Sequence, residues 1–171
     1  MRCFVGVPVT GPLARECKEL SLGLPRATPR PNLHLTLAFL GQCTQAGVAR
    51  LSGELQSLAG RFPAFELAFD CCEPFPAEQG PFLALTTAIS DPLDALHKAL
   101  WECLSQHGVE REQRPFRPHI TLAKPGLALA PQTGNWRLMV DQLCLYQSEL
   151  IQGEVPTYRP LSQHPMVAGK A

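Results

Sequence analysis

His34-Leu35-Thr36-Leu37-Ala38 recurs, with one aliphatic exchanged, as His119-Ile120-Thr121-Leu122-Ala123, about half the chain later. The first copy sits in the run Asn32 to Leu40, which ends at Gly41, and the second in His119 to Lys124, just before Gly126. Both runs are short, aliphatic and bounded by turn formers, so both predict strands. Successive side chains on a strand point to opposite faces, so an imidazole and a hydroxyl two residues apart emerge together. Leu35 and Leu37, like Ile120 and Leu122, then face the other way into a core. A duplication that kept only structure would hold the aliphatic positions and let His and Thr drift. Retention of the polar pair in both copies singles out His34, Thr36, His119 and Thr121.

Outward from these strands, Cys3 to Val9 predicts a strand, and Thr10 with Pro12 opens a helix that Gly23 stops. Leu24 to Pro31 is a loop. Thr44 caps a second helix with Val48, Leu51, Leu55 and Leu58 on one face. Phe65 to Cys71 alternates as a half-buried strand, Glu73 to Pro81 is a turn-rich loop, and Phe82 to Ile89 is a strand. Asp91-Pro92 starts a third helix with the stripe Leu93, Leu96, Leu100 and Leu104, stopped by Gly108. Gly126 to Gly134 is a loop, Trp136 to Tyr146 a strand, Tyr158 to Leu161 a short last strand, and the chain after Ser162, with His164, a frayed tail. His107 is placed to meet the negative end of the third helix. Adjacent strands around Phe69 and Phe82 predict antiparallel pairing and an α+β fold in one domain of two lobes over 1–171.

Composition narrows the partners. Fifteen basic residues balance fifteen acidic ones, whereas a protein that coats nucleic acid carries a basic excess. A nucleic-acid substrate would therefore be engaged at an end. Seven cysteines without a C-x-x-C pair fit buried free thiols in a reducing cytoplasm rather than disulfides or a zinc knuckle. No apolar run is long enough for a membrane span, and no secretory or nucleotide-loop motif is present. A cytoplasmic monomer with no metal and no cofactor is expected.

Two histidines suit in-line displacement at phosphorus, where entering and leaving oxygens lie on opposite sides. One group must take a proton and another give one, and histidine supplies both states near neutral pH. Two hydroxyls can hold the non-bridging oxygens. Arg26 and Arg30 precede the first copy, Arg111, Arg114 and Arg117 the second, and Lys124 follows it, which gives local positive potential on a neutral chain. Lys124 is the best placed, being close to His119.

The stretches NLHLTLAFLG (32–41) and RPFRPHITLAK (114–124) resemble the two signatures of the two-histidine (2H) phosphoesterase superfamily, in particular its LigT-like RNA 2′,3′-cyclic phosphodiesterases. The likeness extends to FVGVP (4–8), LCLYQS (143–148) and YRPL (158–161). It implies a bilobal fold of two pseudo-symmetric antiparallel sheets with outer helices and a central cleft. It also implies hydrolysis of terminal 2′,3′-cyclic phosphates to 2′-phosphates, with His34 as proton donor, His119 as proton acceptor, and Thr36 and Thr121 on the phosphate. An RNA 3′ end or cyclic nucleotide would be the partner, and the likeness also implies reversible 2′-5′ RNA ligation. Lys124 stands where many relatives have arginine and so lacks the planar fork. Phe39 is a family-like base-stacking position, although simple alternation puts it on the core face with Leu37. Other small cyclic or 2′-5′ phosphodiesters, or RNA-end binding without catalysis, are the alternatives.

Overall fold

The computed structural model describes residues 1–150 and 155–169. The chain runs β1 (Arg2–Pro8), α1 (Gly11–Leu20), a 3-10 turn (Arg30–Asn32), β2 (His34–Gln42), α2 (Gln45–Ala59), β3 (Phe65–Phe75), β4 (Phe82–Thr86), α3 (Asp91–Gln106), β5 (His119–Ala123), β6 (Gln132–Val140), β7 (Gln142–Glu149) and β8 (Thr157–Pro165). Thr44 caps α2 by accepting from the Gly47 amide at 3.0 Å. Ser90, rather than Asp91, caps α3 by accepting from the Leu93 amide; the serine precedes the helix, and Asp91 is its first residue. No described helix is long and apolar enough to cross a membrane.

All eight strands join in the order β6-β3-β4-β5-β2-β1-β7-β8, and every named pair is antiparallel. The α+β class holds. The two sheets expected are two four-stranded halves of one sheet, β2-β1-β7-β8 and β5-β4-β3-β6, joined through the pair Leu35↔Ile120. Each half therefore begins at a His-x-Thr strand and runs outward from it.

Several boundaries differ from expectation. The strand around Phe69 continues through Glu73 to Phe75, because Glu73, Pro74 and Phe75 pair with Ala84, Leu83 and Phe82. Gln132 to Gly134 belongs to β6 rather than to a loop. Trp136 to Tyr146 is two strands broken at Asp141: β6 pairs with β3 in one half and β7 with β1 in the other. A single residue spans about 3.5 Å, whereas flat strands six spacings apart would lie almost 30 Å from each other. The sheet therefore bends strongly to bring its two halves together. The described residues after Ser162, as far as Gly169, are not frayed, and the last two residues of that segment lie outside the described residues. The described part completes β8 against β7, and His164 is buried at 7% exposure.

One apolar core collects Leu35, Leu37, Ile120 and Leu122 with Leu55, Leu58, Leu93, Leu96, Leu100 and Leu104 from α2 and α3. A smaller cluster of Phe4, Cys144 and Tyr146, with Tyr158 against it, lies apart from that core. All seven cysteines are free, but Cys43, Cys71 and Cys103 are only half-buried.

Candidate active site

Both His-x-Thr copies show the same burial along the strand: His half-buried, aliphatic buried, Thr half-buried, then Leu and Ala buried. The Leu35↔Ile120 register places His34 opposite Thr121 and Thr36 opposite His119 on one face of the sheet. Directly opposed Cβ atoms are about 5 Å apart and diagonal ones about 7–8 Å. The two imidazoles occupy one diagonal of this quartet and the two hydroxyls the other.

Each ring is held in the same way. His34 Nδ1–H donates to the Asn32 carbonyl at 2.7 Å, and His119 Nδ1–H donates to the Arg117 carbonyl at 2.8 Å. A carbonyl can only accept, so these bonds fix the proton on Nδ1 and leave Nε2 as the acceptor in both neutral rings. The Thr36 hydroxyl donates to His34 Nε2 at 2.7 Å. Buried Asn32 is itself tied down, its side-chain amide donating to the Pro156 carbonyl at 2.7 Å.

Aromatic rings wall both histidines. Phe4 lies 4.8 Å from His34 and Tyr158 meets it edge-on at 5.1 Å. Phe75 stacks on His119 at 4.1 Å, and the Arg117 guanidinium lies 4.7 Å from the Phe75 centroid. Burial lowers the His34 pKa, opposed by the bond to the Asn32 carbonyl and aided by the charge of His119, to about 4. Burial also lowers the His119 pKa, opposed by its bond to the Arg117 carbonyl and aided by the Arg117 charge. Both rings are therefore neutral at pH 7 when no substrate is bound.

Phe39 is a correction to simple alternation. The β1–β2 register jumps between Val5↔Ala38 and Gly6↔Thr36, so Leu37 is an extra residue and the strand changes phase there. Phe39 thus returns to the face of His34 and Thr36, 50% exposed and 6.3 Å from Phe4. The second copy has the matching irregularity at Leu122, between Leu83↔Ala123 and Ala84↔Thr121. Just beyond it, Lys124 holds its ammonium 5.8 Å from the Phe82 ring centroid. Phe39 and Lys124 are thus equivalent positions of the two halves, one aromatic and one cationic. Among the other basic residues, Arg117 donates to the Pro76 carbonyl at 2.7 Å, and Arg114 pairs with Glu112 at 3.6 Å.

Sequence reasoning missed Phe4, Phe75, Asn32 and Gly6. Only Gly6 left a usable trace, because a glycine inside a strand flags close approach. A Cβ there would meet the Leu35 carbonyl oxygen at 2.9 Å and His34 Cδ2 at 3.5 Å. Beside His119, a cavity of about 390 Å³ is lined by Glu73, Phe75, Thr86 and Arg117 among others.

Comparison with known proteins adds the following. The profile described as the 2′-5′ RNA ligase superfamily matches residues 9–150. The RNA 2′,3′-cyclic phosphodiesterase of Bacillus subtilis (strain 168) is 27% identical, over 92% of each chain. That of Escherichia coli (strain K12) is 32% identical, over 81% of this chain and 78% of its own length. The crystal structure of E. coli LigT complexed with 3′-AMP superposes with a TM-score of 0.75 at 27% identity, covering 96% of this chain and 97% of that one.

Proposed function

Because the chain belongs to the 2′-5′ RNA ligase superfamily, we propose that it is a phosphodiesterase opening the 2′,3′-cyclic phosphate at an RNA 3′ end to a 2′-phosphate. The observation that carries this is the His34–Thr36 and His119–Thr121 quartet on one face, with both Nδ1 atoms anchored. The relatives' activity supplies the substrate class. A reducing compartment such as the cytoplasm suits the seven free thiols.

In this reaction His119 Nε2 takes a proton from water as it attacks phosphorus, and the bond to the ribose 3′ oxygen breaks. His34 gives that oxygen a proton. Thr36 and Thr121 donate to the non-bridging oxygens, Thr36 exchanging its bond to His34 for one to phosphate. Lys124 adds positive charge at one end of the quartet, and Phe39 offers a stacking surface at the other. With a 5′-hydroxyl attacking in place of water, the same proton transfers would form a 2′-5′ linkage as the bond to the ribose 3′ oxygen breaks. The test is a short RNA ending in a 2′,3′-cyclic phosphate, its product compared with authentic 2′- and 3′-phosphates. A 2′-phosphate is expected; a 3′-phosphate or unchanged substrate would refute the proposal.

The proton inventory sets a pH dependence. Catalysis needs one histidine charged and one neutral, a state most populated between the pair's two pKa values. In the free enzyme these are about 4 and a value below 6.5. The kcat/KM profile should therefore peak on the acid side of pH 6.5. The anionic phosphate favours imidazolium, so the kcat profile should peak at higher pH. A kcat/KM optimum above pH 7 would contradict the effect of burial.

Phe39→Ala should raise KM for a cyclic nucleotide by about 5–150-fold, the range of one base–aromatic stack, with kcat little changed. Ribose 2′,3′-cyclic phosphate without a base should be insensitive. Equal losses on both substrates would show that Phe39 supports the fold instead.

A further inference from the structure

Outside the cleft, three side chains of metal-ligating type converge where α2 meets α3. Cys103 and His107 are four residues apart, the last at the C-terminal cap of α3, and this spacing puts both on one helical face. Glu54 reaches them from α2. Its Oε1 is 3.6 Å from His107 Nε2 and its Oε2 is 4.0 Å from Cys103 Sγ. One ligating atom from each of the three lies within 4.8 Å of the other two.

Zinc binds sulfur at about 2.3 Å and imidazole nitrogen or carboxylate oxygen at about 2.0–2.2 Å, which sets tetrahedral ligand atoms about 3.3–3.7 Å apart. The observed separations need only small side-chain rotations to reach that geometry. We propose that Glu54, Cys103 and His107 form a zinc-class divalent cation site that clips α2 to the end of α3. The donor set selects the metal. A thiolate with an imidazole disfavours magnesium and calcium, which take oxygen ligands, and suits zinc. Three protein ligands leave the fourth position to water. The thiol proton is released when the metal enters. The cation would bind the folded chain and hold two helices together, so it stabilises the fold by mass action. None of the three ligands belongs to the histidine–threonine quartet, and this site stands or falls independently of the proposed activity.

The test uses the reduced full chain carrying His34→Ala and His119→Ala, so that the cleft imidazoles cannot compete. It is titrated with Co²⁺, which reports a thiolate ligand by a charge-transfer band, and then back-titrated with Zn²⁺. One equivalent should develop the band and Zn²⁺ should bleach it. Cys103→Ser should abolish the band, while Glu54→Gln and His107→Gln should each weaken binding about tenfold or more. Zn²⁺ should raise the Tm of the parent and not that of Cys103→Ser. All three positions lie on helix surfaces, Glu54 and His107 exposed and Cys103 half-buried, and metal-free melting of each variant checks that it folds. Absence of the thiolate band, its survival in Cys103→Ser, or equal affinity in all variants would overturn the site.

Discussion

Alanine at His119 is expected to lower kcat for a 2′,3′-cyclic nucleotide by about 10²–10⁴-fold, the usual contribution of one positioned acid or base, and alanine at His34 to do likewise. The two losses should not multiply. With one partner gone the other has no matching proton transfer, so the double variant should be little slower than the worse single. Rates of each single and of the double, measured at saturating substrate, check this. Near wild-type turnover in both singles would refute the catalytic pairing. A stability control separates chemistry from unfolding. The folded-state pKa of His34 lies at about 4, below its ordinary 6.5, so as pH falls from 6.5 toward 4 the unfolded chain takes up a proton that the folded chain does not. Wild type therefore loses stability across that window and keeps it above pH 6.5. His34→Ala removes this penalty, so its Tm should decline less steeply than wild type between pH 6.5 and 4 while its turnover collapses. A deletion that merely damaged the fold would lower both together.

Much of this site was legible because strand periodicity is local. His34, Thr36, His119 and Thr121 share a face for reasons contained in two five-residue segments, and the stripes of α2 and α3 were equally plain. Phe39 was not, because its direction depends on an extra residue at Leu37 that only pairing with β1 reveals. The run Trp136 to Tyr146 carries uninterrupted strand character, yet it serves two halves of the sheet. Nothing in its composition marks Asp141 as the point of transfer. His164 looked like tail because pairing with β7 is a long-range event. Cys103 and His107 were read separately, one as a buried thiol and one at a helix end, and Glu54 joins them only through helix packing. What escaped the sequence in each case was a partner from a distant segment.

Ile120→Ala tests whether the join between the halves positions the chemistry. Ile120 has no exposed surface and pairs with Leu35, also fully buried. Truncating a buried aliphatic of this size costs about 2–5 kcal/mol, which for a chain of this length lowers Tm by about 5–20 °C. Leu100→Ala in α3 removes a side chain equally buried and should lower Tm by a similar amount. The two should part in turnover. Ile120 lies between His119 and Thr121, opposite the residue between His34 and Thr36, so a cavity there lets one half of the quartet shift against the other. A displacement of about 1 Å at reacting groups costs on the order of 10²-fold. Assayed well below both melting points, Ile120→Ala should lose turnover by that order while Leu100→Ala keeps nearly all of it. Equal turnover in the two would mean that the halves are held in register by contacts other than Leu35–Ile120, and that the quartet's geometry does not depend on the strand pair it straddles.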